Sequence, residues 1–214
     1  MKRKIAIFID WNGTLSPTNF WSHLEKSEKK KDRSLFKVWA DTMFLKHKEK
    51  IIPWMRGKYT TEEMLTFVSK DTRTQYSSIF EEFVVGCRRM EYSSPNIPVL
   101  IEQLRNRSAI VSIATNNMDS FSRWTVPSMK LDFLFDEILN SYNLKALKHD
   151  LDKMGRPLFF RDFFKKYSIN PKDCYFIDDG EDKMGVISNL GMTYRKINKK
   201  ISLEKELRKL LSSF

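Results

Sequence analysis

Short apolar runs separated by longer amphipathic stretches set the rhythm of this chain. Ile5-Ala6-Ile7-Phe8-Ile9 is mainly β-branched and aromatic, as suits a parallel strand buried on both faces. Asn12-Gly13 breaks it. Ala109-Ile110-Val111-Ser112-Ile113-Ala114 is a second run and ends at Thr115-Asn116-Asn117; Cys174-Tyr175-Phe176-Ile177 is a third and ends at Asp178-Asp179-Gly180. Met192-Thr193-Tyr194, after Gly191, is a weaker fourth. Between them, Pro98 to Arg105, Leu158 to Tyr167 and Lys183 to Leu190 carry helical patterns, and Leu203, Leu207, Leu210 and Leu211 mark a terminal helix. Strands alternating with helices predict an α/β fold with a Rossmann-like, doubly wound parallel sheet.

Residues 17–92 depart from this rhythm. Phe20, Trp21 and Leu24 share a helical face, as do Leu35, Phe36, Trp39 and Met43, and Phe80, Phe83, Val84 and Cys87 continue the pattern. Thr60 with Glu63 fits a capping box that opens a helix through Leu65, Phe67 and Val68. The expected organisation is therefore an α/β core of residues 1–16 and 93–214, with 17–92 as a helical insert. Trp21, Trp39 and Trp54 fall at core-packing positions of that insert.

Composition narrows the class. Of 214 residues, 41% are hydrophobic and 30% charged, an ordinary globular mixture. No apolar run reaches membrane-spanning length. Met1-Lys2-Arg3-Lys4 ahead of the first run imitates a secretion signal, but the run is too short and no small-residue cleavage site follows. A cytoplasmic location without membrane association is expected. Cys87 and Cys174 are far apart and read as buried apolar residues, with neither a disulfide framework nor a zinc site. The net charge is +11. A lysine-rich solvated surface explains it first, attraction of phosphorylated substrates second and nucleic-acid binding third. His23, His47 and His149 share no ligand spacing.

Polar clusters stand at three strand ends, where open α/β sheets bind ligands. Carboxylates at two of them supply the hard oxygen ligands that Mg²⁺ prefers, and such a carboxylate can also attack phosphorus. Gly13 lets backbone amides approach a phosphate. The Thr115 hydroxyl and Asn116 can donate to phosphoryl oxygens, and a lysine offsets the charge of the transferring group.

Asp10-Trp11-Asn12-Gly13-Thr14-Leu15 resembles the first motif, DxDGTL, of the haloacid dehalogenase (HAD) superfamily. Thr115 matches that family's second motif, and Asp178 and Asp179 match its acidic fourth, with Asp182 where a further acid often follows. Phe135 to Tyr142 is similar to the lead-in to the third motif, for which Lys148 is the choice and Lys145 and Lys153 the alternatives. The resemblance runs from Ile5 to about Tyr194 and implies a HAD core with a helical cap over residues 17–92. It further implies a Mg²⁺-dependent phosphatase acting on a small phosphorylated metabolite through an aspartyl-phosphate intermediate. In that scheme Asp10 is the nucleophile, and Thr115 and Lys148 hold the phosphoryl group with Gly13 and Asn116. Asp10, Asn12 through its carbonyl, Asp178, Asp179 and Asp182 serve the metal.

One position departs from the pattern. The residue two past the nucleophile is the family's general acid and base, and here it is Asn12, whose amide exchanges no proton near neutral pH. Such a group contributes on the order of 10²–10⁴-fold in rate. Three readings follow: a slow phosphatase or one limited to good leaving groups such as aryl or acyl phosphates; a catalytically impaired phosphate-ligand binder; or an inactivating or deamidated site, since Asn-Gly is a flexible pair. Relatives without the second carboxylate include dehalogenases and phosphonatases. A nucleic-acid end phosphatase is a further alternative, motivated by charge. Trp11 can stack on a substrate ring or pack beneath the cap, and Arg56, Lys58 and Arg123 are candidates to meet anionic groups.

Overall fold

Five parallel strands form the sheet in a computed structural model that describes residues 5–213, and four of them follow the apolar runs. The basic stretch 1–4, and with it the outermost positions of the expected core at 1–4 and 214, lies outside the described residues. The strands are β1 (Ile5–Ile9), β2 (Ala109–Thr115), β3 (Glu137–Asn140), β4 (Cys174–Asp178) and β5 (Thr193–Lys196). Their order in the sheet is β3-β2-β1-β4-β5, all parallel. This is the doubly wound α/β architecture that the alternation predicts. β3 is the one strand the hydrophobic pattern does not reveal.

The central strands are largely apolar because both faces are covered, with Ser112 a buried polar exception in β2. Ile7, Ile9, Val111 and Ile113 face helices Ile97–Asn106 and Leu203–Ser212, whose buried leucines complete one core layer. Ala6, Phe8, Ala114 and Phe176 face the other way onto Phe159, Phe160, Phe163 and Ile187. Phe8 is the hub of that layer, edge-on to Phe160 at 5.2 Å and Phe163 at 4.6 Å. Each fully buried side chain of this size contributes roughly 1.5–3 kcal/mol.

Between β1 and helix Ile97–Asn106 the chain forms helices Lys30–Asp41, Lys48–Met55, Thr61–Thr72 and Tyr76–Arg88. The capping box at Thr60 is present: Glu63 N donates to Thr60 Oγ1 at 3.2 Å and Thr60 N to Glu63 Oε2 at 2.7 Å. These helices share their own apolar centre, in which Trp21, Trp39, Trp54 and Phe83 are buried. Met118, from the loop after β2, belongs to the same cluster. The insert therefore packs against the carboxyl edge of the sheet.

Polar contacts fix it there. Asp119 is buried and accepts from Trp54 Nε1 at 2.8 Å, Thr61 Oγ1 at 2.8 Å, Thr61 N at 3.2 Å and Arg123 at 2.9 Å. Arg56 grips Asp150 through two nitrogens, at 2.9 and 2.5 Å.

Candidate active site

Strand register places Asp10 and Asp178 side by side. Ile9 pairs with Ile177, and Asp10 N donates to the Ile177 carbonyl at 2.9 Å. From β1 the chain moves to β2 and β3 on one side, then returns to β4 on the other. The β1/β4 crevice is thus where the connections diverge, the place at which open α/β sheets hold ligands. Lys148, from the loop after β3, reaches into it: its Nζ lies 2.6 Å from Asp178 Oδ2 and 3.1 Å from Asp10 Oδ1. All three side chains are buried. Of the other candidate lysines, Lys145 sits over the Tyr142 ring at 4.3 Å and Lys153 is exposed.

The electrostatics follow from crowding like charges in a dry place. Burial pushes Asp10 up to about 6; Lys148 pulls against this and Asp178 adds to it. Burial alone would depress Lys148, but Asp10 and Asp178 outweigh it and hold the ammonium above its ordinary value. Asp179 is raised by partial burial and by Asp178. Oxygens of Asp10, Asp178 and Asp179 lie within 4.8 Å of one another. Three ionised carboxylates beside one ammonium leave a net double negative charge, and every donor is a hard oxygen. That set fits a divalent cation such as Mg²⁺.

Neighbouring residues shape the same pocket. Gly13 has φ +74°, and a Cβ there would lie 2.2 Å from Asp179 Oδ2, so a side chain at 13 would displace the acid. Gly180 N donates to Asp178 Oδ1 at 2.8 Å and orients it. Asn116 Oδ1 accepts from Lys148 N at 2.9 Å, which ties the lysine loop to the end of β2. Thr115 Oγ1 and Thr14 Oγ1 are buried without a hydrogen-bond partner among the described residues. A buried orphan hydroxyl is costly, and Thr115 closes β2, the sheet neighbour of β1.

Other expected residues take different parts. Asp182 stands outside the acidic trio; its oxygens accept from Ile187 N at 2.9 Å and Ser188 N at 2.8 Å. It holds the first turn of Val186–Asn189 rather than facing the cluster. Asn12 is half-buried and lines an apolar cavity. Trp11 is fully buried, gives its Nε1–H to Met90 Sδ at 3.3 Å and packs on Phe121 at 5.1 Å, so it is packing and not a substrate platform. Arg123 is held by Glu62 and Asp119, and Arg56 by Asp150. His23 and His47 pair with Glu82 and Asp71. Asp119 and Asp150 tie the insert to the sheet's polar edge without any sequence motif that marks them; each follows a motif residue by a few positions, the one available signal.

No protein-family model matches the chain. (S)-2-haloacid dehalogenase 4A of Burkholderia cepacia is 22% identical over 139 residues, which is 65% of this chain and 58% of that enzyme's length. A predicted HAD-like family hydrolase from Porphyromonas gingivalis superposes with a TM-score of 0.68 at 18% identity, over 97% of each chain. A HAD family enzyme from Bacteroides thetaiotaomicron, solved with magnesium and inorganic phosphate, gives 0.63 at 19% identity over 91% of this chain and 94% of that one.

Proposed function

The chain carries the fold of the haloacid dehalogenase superfamily, and from that premise we propose that it is a Mg²⁺-dependent phosphatase using Asp10 as nucleophile. One observation carries this reading: Asp10, Asp178 and Asp179 converge within 4.8 Å with Lys148 between the first two. Displacing a halide from an alkyl carbon has no need of such an acidic trio, whereas a phosphoryl group and its divalent counter-ion do. Residues 17–92 act as a cap that excludes water and chooses the substrate, a small phosphorylated metabolite.

In this account an Asp10 oxygen attacks phosphorus and forms an aspartyl phosphate. Lys148 Nζ and Thr115 Oγ1 hold the phosphoryl oxygens, while Asn116 keeps the Lys148 loop in place and Gly13 leaves room beside Asp179. Asp10, Asp178 and Asp179, with the Asn12 carbonyl, would hold Mg²⁺, which when bound offsets charge on the phosphoryl oxygens. Water then attacks phosphorus and frees Asp10. Asn12 neither protonates the leaving oxygen nor activates this water, so both steps are slow relative to a chain with a carboxylate there.

A second reading, hydrolysis of a 2-haloacid, draws on the identity to the Burkholderia dehalogenase and on the missing carboxylate at 12. Assays of p-nitrophenyl phosphate and 2-chloropropionate, with Mg²⁺ and with EDTA, separate the two. We expect phosphate release that needs Mg²⁺ and rises in Asn12→Asp by about 10²-fold or more. Halide release indifferent to EDTA, with no phosphate release from either protein, would replace the phosphatase reading with the dehalogenase one.

A further inference from the structure

We propose that the substrate is an aryl phosphate whose apolar ring occupies a chamber between the insert and the sheet edge; this inference rests on the phosphatase reading above. The chamber has a volume of about 400 Å³, and a cavity of about 150 Å³ already admits benzene. Phe20, Phe36, Phe44, Ile51, Met55 and Met118 form most of its wall. Asn12 and Asn19 are its polar members, and among the described residues no charged side chain lines it.

Three features fix the occupant. The chamber meets the catalytic loops: Asn12 lies two residues past Asp10, and Met118 three past Thr115. The proposal places a group leaving phosphorus at Asp10 in this space. The wall also suits a flat ring. Phe20 and Phe44 are stacked at 6.1 Å with planes 5° apart, and methionines adapt to aromatic guests. Sugar hydroxyls or a nucleotide's base edges would lose water here with two amides as their partners. Finally, position 12 offers no acid. A phenol has a pKa near 10, as tyrosine does, against about 15.7 for water, so phenolate departs without protonation far more readily than an alkoxide.

The steps balance. The Asp10 carboxylate forms a bond to phosphorus as the phosphorus–aryl oxygen bond breaks, and the electron pair leaves on phenolate. Water then adds to phosphorus as the aspartyl oxygen departs. Both of the water's protons leave on the phosphate, which passes one to phenolate, so the products are phenol and hydrogen phosphate.

Titration of the Mg²⁺-loaded protein with 1-naphthylmethylphosphonate and with methylphosphonate tests this without turnover. The naphthyl compound should bind at least tenfold tighter. Ile51→Trp and Ala40→Leu, which fill the chamber from separate helices of the insert, should each move that ratio towards one. Hydrolysis of 1-naphthyl phosphate should exceed that of glucose 6-phosphate at least tenfold in kcat/KM. Methylphosphonate binding with no naphthyl preference, or a preference untouched in both folded variants, overturns the chamber proposal and leaves the phosphatase reading standing. Failure of both phosphonates to bind overturns the two together.

Discussion

Thr115 separates what holds the protein together from what the site does. Its hydroxyl is buried with no hydrogen-bond partner among the described residues, so the fold gains no hydrogen bond from it. Val has the same shape, and replacing an unsatisfied polar group by an apolar one is neutral or stabilising. Thr115→Val should keep or slightly raise Tm while lowering kcat/KM for p-nitrophenyl phosphate by about 10²-fold, the usual loss for one donor aimed at developing charge. Unchanged kcat/KM in the folded variant would remove Thr115 from the site. Asp10 carries a second signature. Without metal its pKa is raised from 3.8 to about 6 by burial. Between those values the folded chain keeps a proton that the unfolded chain has released. Stability should therefore fall as pH rises through that window, opposite to the usual carboxylate. Denaturation in EDTA from roughly pH 4 to 7 should show this slope in the wild type relative to Asp10→Asn. Parallel pH profiles for the two proteins would mean that Asp10 titrates normally.

At the scale of elements, Asp119 joins the loop after β2 to helices Lys48–Met55 and Thr61–Thr72. Asp119→Ala strands the Trp54 indole and the Thr61 hydroxyl in a buried place. That should cost about 3 kcal/mol, or roughly 6–12 °C in Tm for a chain of this size. A change below about 2 °C would mean that Asp119 does not help to hold the insert. The same scale shows what the sequence disclosed. β1, β2 and β4 are legible because a strand covered on both faces reads as a mostly apolar run. β3 is not: its four residues begin with Glu137 and end with Asn140, too short and too polar at the ends to stand out. The pattern through Lys183 to Leu190 is broken by left-handed residues at Met184 and Gly185, so only Val186–Asn189 is α-helical. Asp182 illustrates a further limit. Spacing places an acid near the site, but whether its carboxylate turns to the cluster or to backbone amides depends on one local turn.

For the molecule as a whole, three strand ends and the lysine loop come together because of sheet order, which sequence spacing cannot state by itself. Asp10 and Asp178 are separated by most of the chain, yet their strands are neighbours in register. Cavities between helical segments are less legible still. The apolar chamber is built from positions that look, one by one, like ordinary core residues. Among the described residues no helix is long and apolar enough to cross a membrane. Under the proposed function, the net charge of +11 would favour the approach of a phosphorylated ligand.

Asn12 makes the central claim directly measurable, because a chain that cannot activate the hydrolytic water should retain its covalent intermediate. Mixing the protein with p-nitrophenyl phosphate in Mg²⁺, quenching in acid and mapping peptides by mass spectrometry should find a phosphoryl group on Asp10. It should be absent in EDTA and depleted in Asn12→Asp, with a burst of about one nitrophenolate per chain before the slow phase. Phosphate release with Asp10 unmodified at every time point, or a phosphoryl group on another residue, would contradict the account.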